Sequence, residues 1–132
     1  MKARVIVCSD SAAAGHTEDT TGPVLVAGLQ ELGCDVDGPA VVPDDVAAIA
    51  DAIAAAEADV IVCTGGTGLG PRDVTPDAVL SLIERELPGF GEAFRARGRA
   101  QTPLADLSRA VAGTWAGTLL VAIPGSHGAV AD

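Results

Sequence analysis

The stretch Thr64-Gly65-Gly66-Thr67-Gly68-Leu69-Gly70-Pro71-Arg72-Asp73 holds the residues of this chain best suited to chemistry. Four glycines fall within six residues, hydroxyls stand at Thr64 and Thr67, and Arg72 and Asp73 set a cation beside a carboxylate. Glycine-rich backbone between a strand and a helix presents N–H groups to an anion, usually a phosphate. Three more polar segments each follow an apolar run: Ser9-Asp10-Ser11, Pro43-Asp44-Asp45 and Pro124-Gly125-Ser126. In a doubly wound sheet, ligands bind beyond the carboxyl ends of the strands, which gathers all four segments on one rim. Asp44 and Asp73 are the most useful carboxylates there. Beside a phosphate, two acids repel each other unless a cation such as Mg²⁺ sits between them, and hard cations take oxygen ligands.

The competing readings differ from residue to residue. Gly65 and Gly70 have the GxxxxG spacing of a P-loop, but Pro71-Arg72 stand where Lys and Ser/Thr are required. GxGxxG is absent too, and no ribose-binding acid follows ~20 residues on after a second strand. A plain glycine turn remains the alternative, set against the Thr/Gly alternation and the Arg-Asp pair. Asp44 also reads as a helix cap. Asp73 fits that role less well, because Thr75-Pro76-Asp77 already reads as a hydroxyl cap, a proline at the first helical position and an acid in the first turn. Asp10 and Asp19 divide between loop hydrogen bonding and function. His16 and His127 read as exposed loop residues, and no Ser-His-Asp or Cys-His set assembles. Arg95, Arg97 and Arg99 form the one basic cluster, read as a solvated helix face with phosphate or subunit contact as the alternative.

Strands and helices alternate in the order needed to position that rim. Arg4 to Cys8, Val36 to Val42, Asp59 to Thr64 and Thr118 to Ile123 read as strands, the second lying towards a sheet edge because Gly38-Pro39 interrupts it. Between the first two, Ala12 to Thr21 reads as a loop. Gly22-Pro23 then opens a helix with Leu25, Leu29 and Leu32 on one face, closed by Gly33. The next helix carries Val46, Ile49, Ala50 and Ile53. The helix from Pro76 is predicted to run through Val79, Leu80, Ile83 and Leu87 until Pro88-Gly89 stops it. Phe90 to Gly98 reads as a short helix, and Thr102-Pro103 as the start of one more turn or helix through Leu104, Leu107 and Val111. Such alternation implies right-handed βαβ units and a doubly wound, mostly parallel sheet with helices on both faces. Gly128-Ala129-Val130 hints at a further helix, so either something short closes the fold or a C-terminal helix is lacking.

Composition narrows the partners. A single domain over residues 1–132 is expected, with 48% apolar residues to build its core. That core is mostly Ala, Val, Leu and Ile, with no Tyr, two Phe and one Trp. Eight basic against 18 acidic residues give a formal net charge of −10, and no basic stripe is present to displace counterions from nucleic acid. A phosphate ligand would need local neutralisation by Arg72, by helix N-termini or by a divalent cation. Cys8, Cys34 and Cys63 have no metal or CxxC spacing and read as reduced, structural thiols. No apolar run approaches ~20 residues and no signal peptide is visible, so neither membrane nor export is expected and the cytoplasm is the default.

Thr64-Gly65-Gly66-Thr67-Gly68 together with Arg72-Asp73-Val74-Thr75-Pro76-Asp77-Ala78 resembles the signature of the molybdenum cofactor biosynthesis family. That family comprises the molybdopterin adenylyltransferases and close paralogues, including gephyrin-like G domains. The resemblance extends to Ser9-Asp10, Glu18-Asp19 with Gly22-Pro23, Val42-Pro43-Asp44-Asp45, Pro88-Gly89-Phe90-Gly91-Glu92, Thr102-Pro103, Leu107-Ser108-Arg109 and Pro124-Gly125-Ser126.

The resemblance implies a three-layer α/β domain, assembled as a homotrimer or a dimer of trimers. It also implies binding of molybdopterin and adenylation of its phosphate with Mg-ATP, releasing pyrophosphate. The family's two catalytic acids fall by motif on Asp44 and Asp73, which would also position Mg²⁺. Ser9, Asp10, Thr64 to Gly68, Arg72 and Pro124 to Ser126 would hold the substrates. Two departures stand out: Ser11 replaces an arginine frequent in the family, and His127-Gly128 replace a proline and a lysine. These keep open a non-catalytic molybdopterin-binding or assembly paralogue of the same fold.

Overall fold

The computed structural model describes residues 1–125, so Ser126, His127 and the helix hinted at Gly128 to Val130 lie outside the described residues. The apolar, β-branched runs form strands. β1 (Lys2–Cys8) leads through a short helix α1 (Asp10–Ala13) to α2 (Thr21–Glu31), and β2 (Asp35–Val42) to α3 (Val46–Ala55). β3 (Val60–Thr64), the glycine loop and α4 (Thr75–Leu82) follow. The two-residue β4 (Arg85–Glu86), α5 (Pro88–Gly98), a 3₁₀ turn over Pro103–Leu107, β5 (Val111–Trp115) and β6 (Thr118–Ile123) complete the order.

One six-stranded sheet runs β2-β1-β3-β6-β5-β4. The first four strands pair parallel, and β5 and β4 add an antiparallel edge. Consecutive side chains point to opposite faces of a strand, so each buried strand feeds two cores. Ile6, Cys8, Ile61, Cys63, Leu120 and Ala122 pack against Ile49 and Ile53 of α3 and Ala78 and Val79 of α4. Val5, Val62, Val121 and Ile123 pack against Leu25 and Leu29 of α2 and Phe90 and Phe94 of α5. The result is the expected three-layer, mostly parallel α/β arrangement, with β2 at the expected edge. The carboxyl ends of β1, β2, β3 and β6 share one rim.

Several local expectations are corrected. The helix from Thr75 stops at Leu82, and Pro88 opens α5 instead of closing α4. The chain between them extends to form β4 on β5, with Glu84 N donating to Thr114 O and Leu87 N to Ala112 O. A proline serves equally well at a first helical turn or beyond a helix end, and its sequence position alone does not choose. Val111 belongs to β5, not to a helix from Thr102. Leu32 lies 81% exposed past the end of α2, and Leu80 faces outward. Thr75 is not a cap: Val74 holds that position, and the Thr75 side chain is fully buried. Asp45, not Asp44, caps α3, its Oδ2 accepting from Ala48 N at 2.9 Å.

β5 and β6 form a hairpin through Ala116 and Gly117, at φ of +49° and +79°. Positive φ at both central residues is what a type I′ turn requires, and Ala pays a steric penalty in that region. Ala116→Asn is expected to raise stability by about 1 kcal/mol, because its N–H bond to Glu84 Oε1 is kept. An increased urea midpoint with unchanged slope is the measurement that checks it.

Candidate functional site

The glycine loop enters the rim between the ends of β1 and β6. Thr64, fully buried at the end of β3, donates its hydroxyl to Pro124 O at 3.1 Å, and Gly65 N donates to Ile123 O at 2.9 Å. Gly65 sits at φ +98°, and a Cβ on it would lie 2.5 Å from Cys8 O. A Cβ on Gly125 would stand 3.2 Å from Gly65 Cα. Gly66, at φ +67°, then turns the chain towards α4 and accepts from Thr75 N at 3.2 Å. Glycine at both positions is therefore a requirement of close approach and of left-handed backbone.

Asp10 and Asp44 meet where β1 and β2 end. Asp10 N donates to Asp44 Oδ2 and Asp44 N to Asp10 Oδ1, each at 3.0 Å, so the two acids lock the ends of β1 and β2 together. Arg72 reaches across from the glycine loop and donates Nε to Asp10 Oδ2 at 2.9 Å and Nη2 to Asp10 Oδ1 at 3.0 Å. A planar guanidinium suits such a two-point bond. This guanidinium holds the Asp10 carboxyl below the usual carboxylate range, with help from Asp44 N–H. Asp44 moves the other way. Burial pushes its carboxyl up against the pull of Asp10 N–H, and the charges of Asp10 and Asp73 add to the rise. Asp73 closes its own turn, with Oδ2 accepting from Gly70 N at 2.9 Å and its N donating to Gly70 O at 3.0 Å.

Other candidate residues fall into structural roles. Ser9 caps α1 by accepting from Ala12 N at 3.2 Å, and Asp19 accepts from Gly22 N at 2.9 Å at the start of α2. Arg95 donates to Ser108 O and Arg99 pairs with Asp106, so two of the clustered arginines fasten α5 to the 3₁₀ turn. Cys8 and Cys63 are free, buried thiols sharing a hydrogen bond, and Cys63 is pushed up by that bond and by burial.

The residue that sequence reasoning missed as part of the site is Arg109. Its backbone N donates to Thr67 O at 2.8 Å, its Nε to Gly68 O at 3.0 Å and its Nη2 to Asp73 O, while Nη1 meets Asp77 at 3.3 Å. One guanidinium thus ties both ends of the Gly68 to Asp73 excursion. No local spacing marks it, because its partners lie 32 to 42 residues earlier in the chain.

Two cavities border the loop. One of about 420 Å³ is lined largely by apolar groups, including Leu69, Phe94, Leu104, Leu107 and Pro124, and reaches Thr67 and Gly68. The other, about 240 Å³, is rich in hydroxyls from Ser9, Thr17, Thr20, Thr21 and Thr64 and reaches Gly65. Among the described residues no three His, Cys, Asp or Glu side chains form a metal cage. Mg²⁺ is ordinarily held by only one or two carboxylates, with phosphates and water completing its shell. Asp44 fits that use: its Oδ1 is buried without a hydrogen-bond partner and within the field of Asp73.

A family model described as a probable molybdopterin binding domain matches residues 4–132. The chain belongs to this family. As a molybdopterin-binding-domain chain it is similar to the molybdenum cofactor biosynthesis bifunctional protein of Chlorobaculum tepidum, 40% identical over 131 residues, which cover 97% of this chain and 42% of that protein. The protein of the same name from Synechococcus elongatus is 42% identical over 133 residues, covering 98% of this chain and 42% of that one. The chain therefore spans less than half the length of these two relatives. It is also 40% identical over 135 residues to the molybdopterin adenylyltransferase of Pyrococcus furiosus, covering 96% of this chain and 78% of that protein. A crystal structure of a molybdopterin biosynthesis protein from Mycobacterium abscessus superimposes with a TM-score of 0.93 at 42% identity, covering 98% of this chain and 84% of that one.

Arg109→Gln removes charged donors from two loop carbonyls, and a loss of about 1–3 kcal/mol is expected. It should appear as a lower urea midpoint and faster proteolytic nicking between residues 68 and 73. The Asp10 carboxyl, followed by NMR, is expected to titrate below the usual carboxylate value in the native chain and to move back up in Arg72→Gln. A carboxyl depressed on folding contributes stability above its unfolded pKa, and this is lost as pH falls through the folded value. The acid limb of the stability curve should therefore be shallower in Arg72→Gln. The pair is exposed, so salt reduces the difference.

Proposed function

We propose that this chain binds molybdopterin and transfers the adenylyl group of ATP to its phosphate, releasing pyrophosphate. The observation that carries the reading is Asp44 at the glycine loop, its unpartnered Oδ1 facing Gly66 and Asp73 close enough to raise its pKa. Likeness to the Pyrococcus furiosus protein named molybdopterin adenylyltransferase supports it. In this reaction an oxygen of the molybdopterin phosphate attacks the α-phosphorus of ATP. A new P–O bond forms as the bond from that phosphorus to the bridging oxygen of the β-phosphate breaks, and the electron pair departs on pyrophosphate. The attacking phosphate is already ionised near neutral pH, so no general base is required.

What the protein supplies is position and charge. The apolar cavity beside Thr67 and Gly68 takes the flat pterin, and the amides of the glycine loop take phosphate. The Asp10–Arg72 pair holds the loop against the β1 exit, and Arg109 fixes the backbone on either side of Arg72. Asp44 and Asp73 would hold Mg²⁺, which when bound supplies positive charge against the phosphates. Assembly as a homotrimer or a dimer of trimers belongs to the same proposal.

A second reading, a pterin-binding assembly module without turnover, is favoured by one observation. Arg72, the cation the loop itself carries, spends two N–H groups on Asp10. Incubation with molybdopterin and Mg-ATP, assayed for pyrophosphate, separates the two. Release is expected from the native chain, with a loss of about 10²–10³-fold in Asp73→Asn while molybdopterin binding, read by fluorescence, is retained. Normal turnover by Asp73→Asn removes its metal-positioning role. Tight pterin binding with no pyrophosphate selects the assembly module.

A further inference from the structure

Three side-chain polar atoms among the described residues are buried without a hydrogen-bond partner, and two of them face the same point in the rim. Asp44 Oδ1 and Thr75 Oγ1 lie 3.1 Å and 2.5 Å from where a Cβ on Gly66 would stand. Thr75 is fully buried in the first turn of α4, and its backbone is fixed by the bond from its N to Gly66 O. Its one neighbour of hydrogen-bonding kind is the Cys8 thiol, a weak partner for a hydroxyl. Buried polar groups are almost always well satisfied, so an unpartnered carboxylate oxygen and a hydroxyl with only a weak thiol partner, both against one glycine, mark a position held ready for use.

We propose that Thr75 is a positioning residue for Asp44: its hydroxyl donates to Asp44 Oδ1 when the rim is loaded, and fixes the carboxylate that holds the cation. Each carboxylate oxygen has two lone-pair sites, so Oδ1 can accept from Thr75 and still face a cation. Oδ2 is already held by Asp10 N, and the second bond would leave the carboxylate no freedom to rotate. Catalytic hydrogen bonds are often long before ligands arrive and tighten in the complex. Gly66 leaves room at this point, since a Cβ there would crowd both oxygens. The proposal rests on the adenylyl-transfer reading for its activity assay and on cation binding for its second readout.

The test compares Thr75→Val, which keeps the shape and removes the hydroxyl, with Thr75→Ser, which keeps the hydroxyl. Losing a group that orients a metal ligand costs about 10- to 100-fold. Thr75→Val is expected to lose that much kcat with KM for molybdopterin and ATP unchanged, and Thr75→Ser to retain most of it. Calorimetric titration with Mg²⁺, in the presence of a non-hydrolysable ATP analogue, should show weaker affinity in Thr75→Val and recovery in Thr75→Ser. The urea midpoint of Thr75→Val should equal or exceed that of the native chain, because a buried hydroxyl with only a weak thiol partner is replaced by a methyl group. Native kcat and Mg²⁺ affinity in Thr75→Val overturn the proposal, and so does a loss of activity that follows a loss of stability. Should Thr75→Val fail to fold, Thr75→Ala carries the same comparison. If the native chain releases no pyrophosphate, the adenylyl-transfer reading fails by itself and the Mg²⁺ titration alone decides the role of Thr75.

Discussion

At Gly65 the backbone passes so close to the end of β1 that a Cβ would lie 2.5 Å from Cys8 O, and the geometry of the rim depends on that approach. The loop is wedged between two strand exits, bonded to Ile123 O through Gly65 N and to Pro124 O through the Thr64 hydroxyl. Only then does Gly66 turn with positive φ over Asp44 and Thr75. A side chain at either glycine would push the loop off the sheet, and the excursion through Arg72 and Asp73 would move with it. Placement of the second acid thus follows from backbone packing at a residue that carries no chemistry.

Charge at the rim is arranged around the same constraint. The chain carries a formal −10, and the two arginines nearest the loop are committed to internal partners. Arg72 holds Asp10, and Arg109 holds the Gly68 and Asp73 carbonyls. These cations stiffen the loop and orient its acids more than they offer charge to a ligand. Asp44 is left partly buried near two other carboxylates, with its pKa raised for both reasons. An ion of opposite sign arriving with a phosphate would relieve that repulsion. In this acidic chain the arginines thus serve to build the rim, and Asp44 is left without a cationic partner of its own.

Where local reading failed, the cause is a residue type that serves two purposes. Pro88-Gly89 looks like the end of a long helix and is the start of α5, because the backbone after Leu82 is drawn out to pair with β5. Val111-Ala112-Gly113 has too little alternation to announce a strand, yet it is buried on both faces and bonded to β6. Asp44 and Asp45 are chemically equal neighbours. The β-region backbone of Asp45 makes it the cap and leaves Asp44 for the rim.

The sequence by itself determined the alternation of strands and helices, the parallel sheet with β2 at its edge, and the gathering of four polar segments on one rim. These follow from hydrophobic period and turn chemistry, which act over a few residues. The glycine loop and the pair Asp44 and Asp73 were legible for the same reason, since spacing after apolar strands places them. Only the tertiary structure decided which acid caps a helix, that Arg72 is spent on Asp10, that Arg109 belongs to the loop, and that Thr75 is buried against Gly66. Each of those depends on a contact between segments 9 to 62 residues apart or on the backbone angles at one position. Contacts of that range exist only once the sheet has brought the strand ends together.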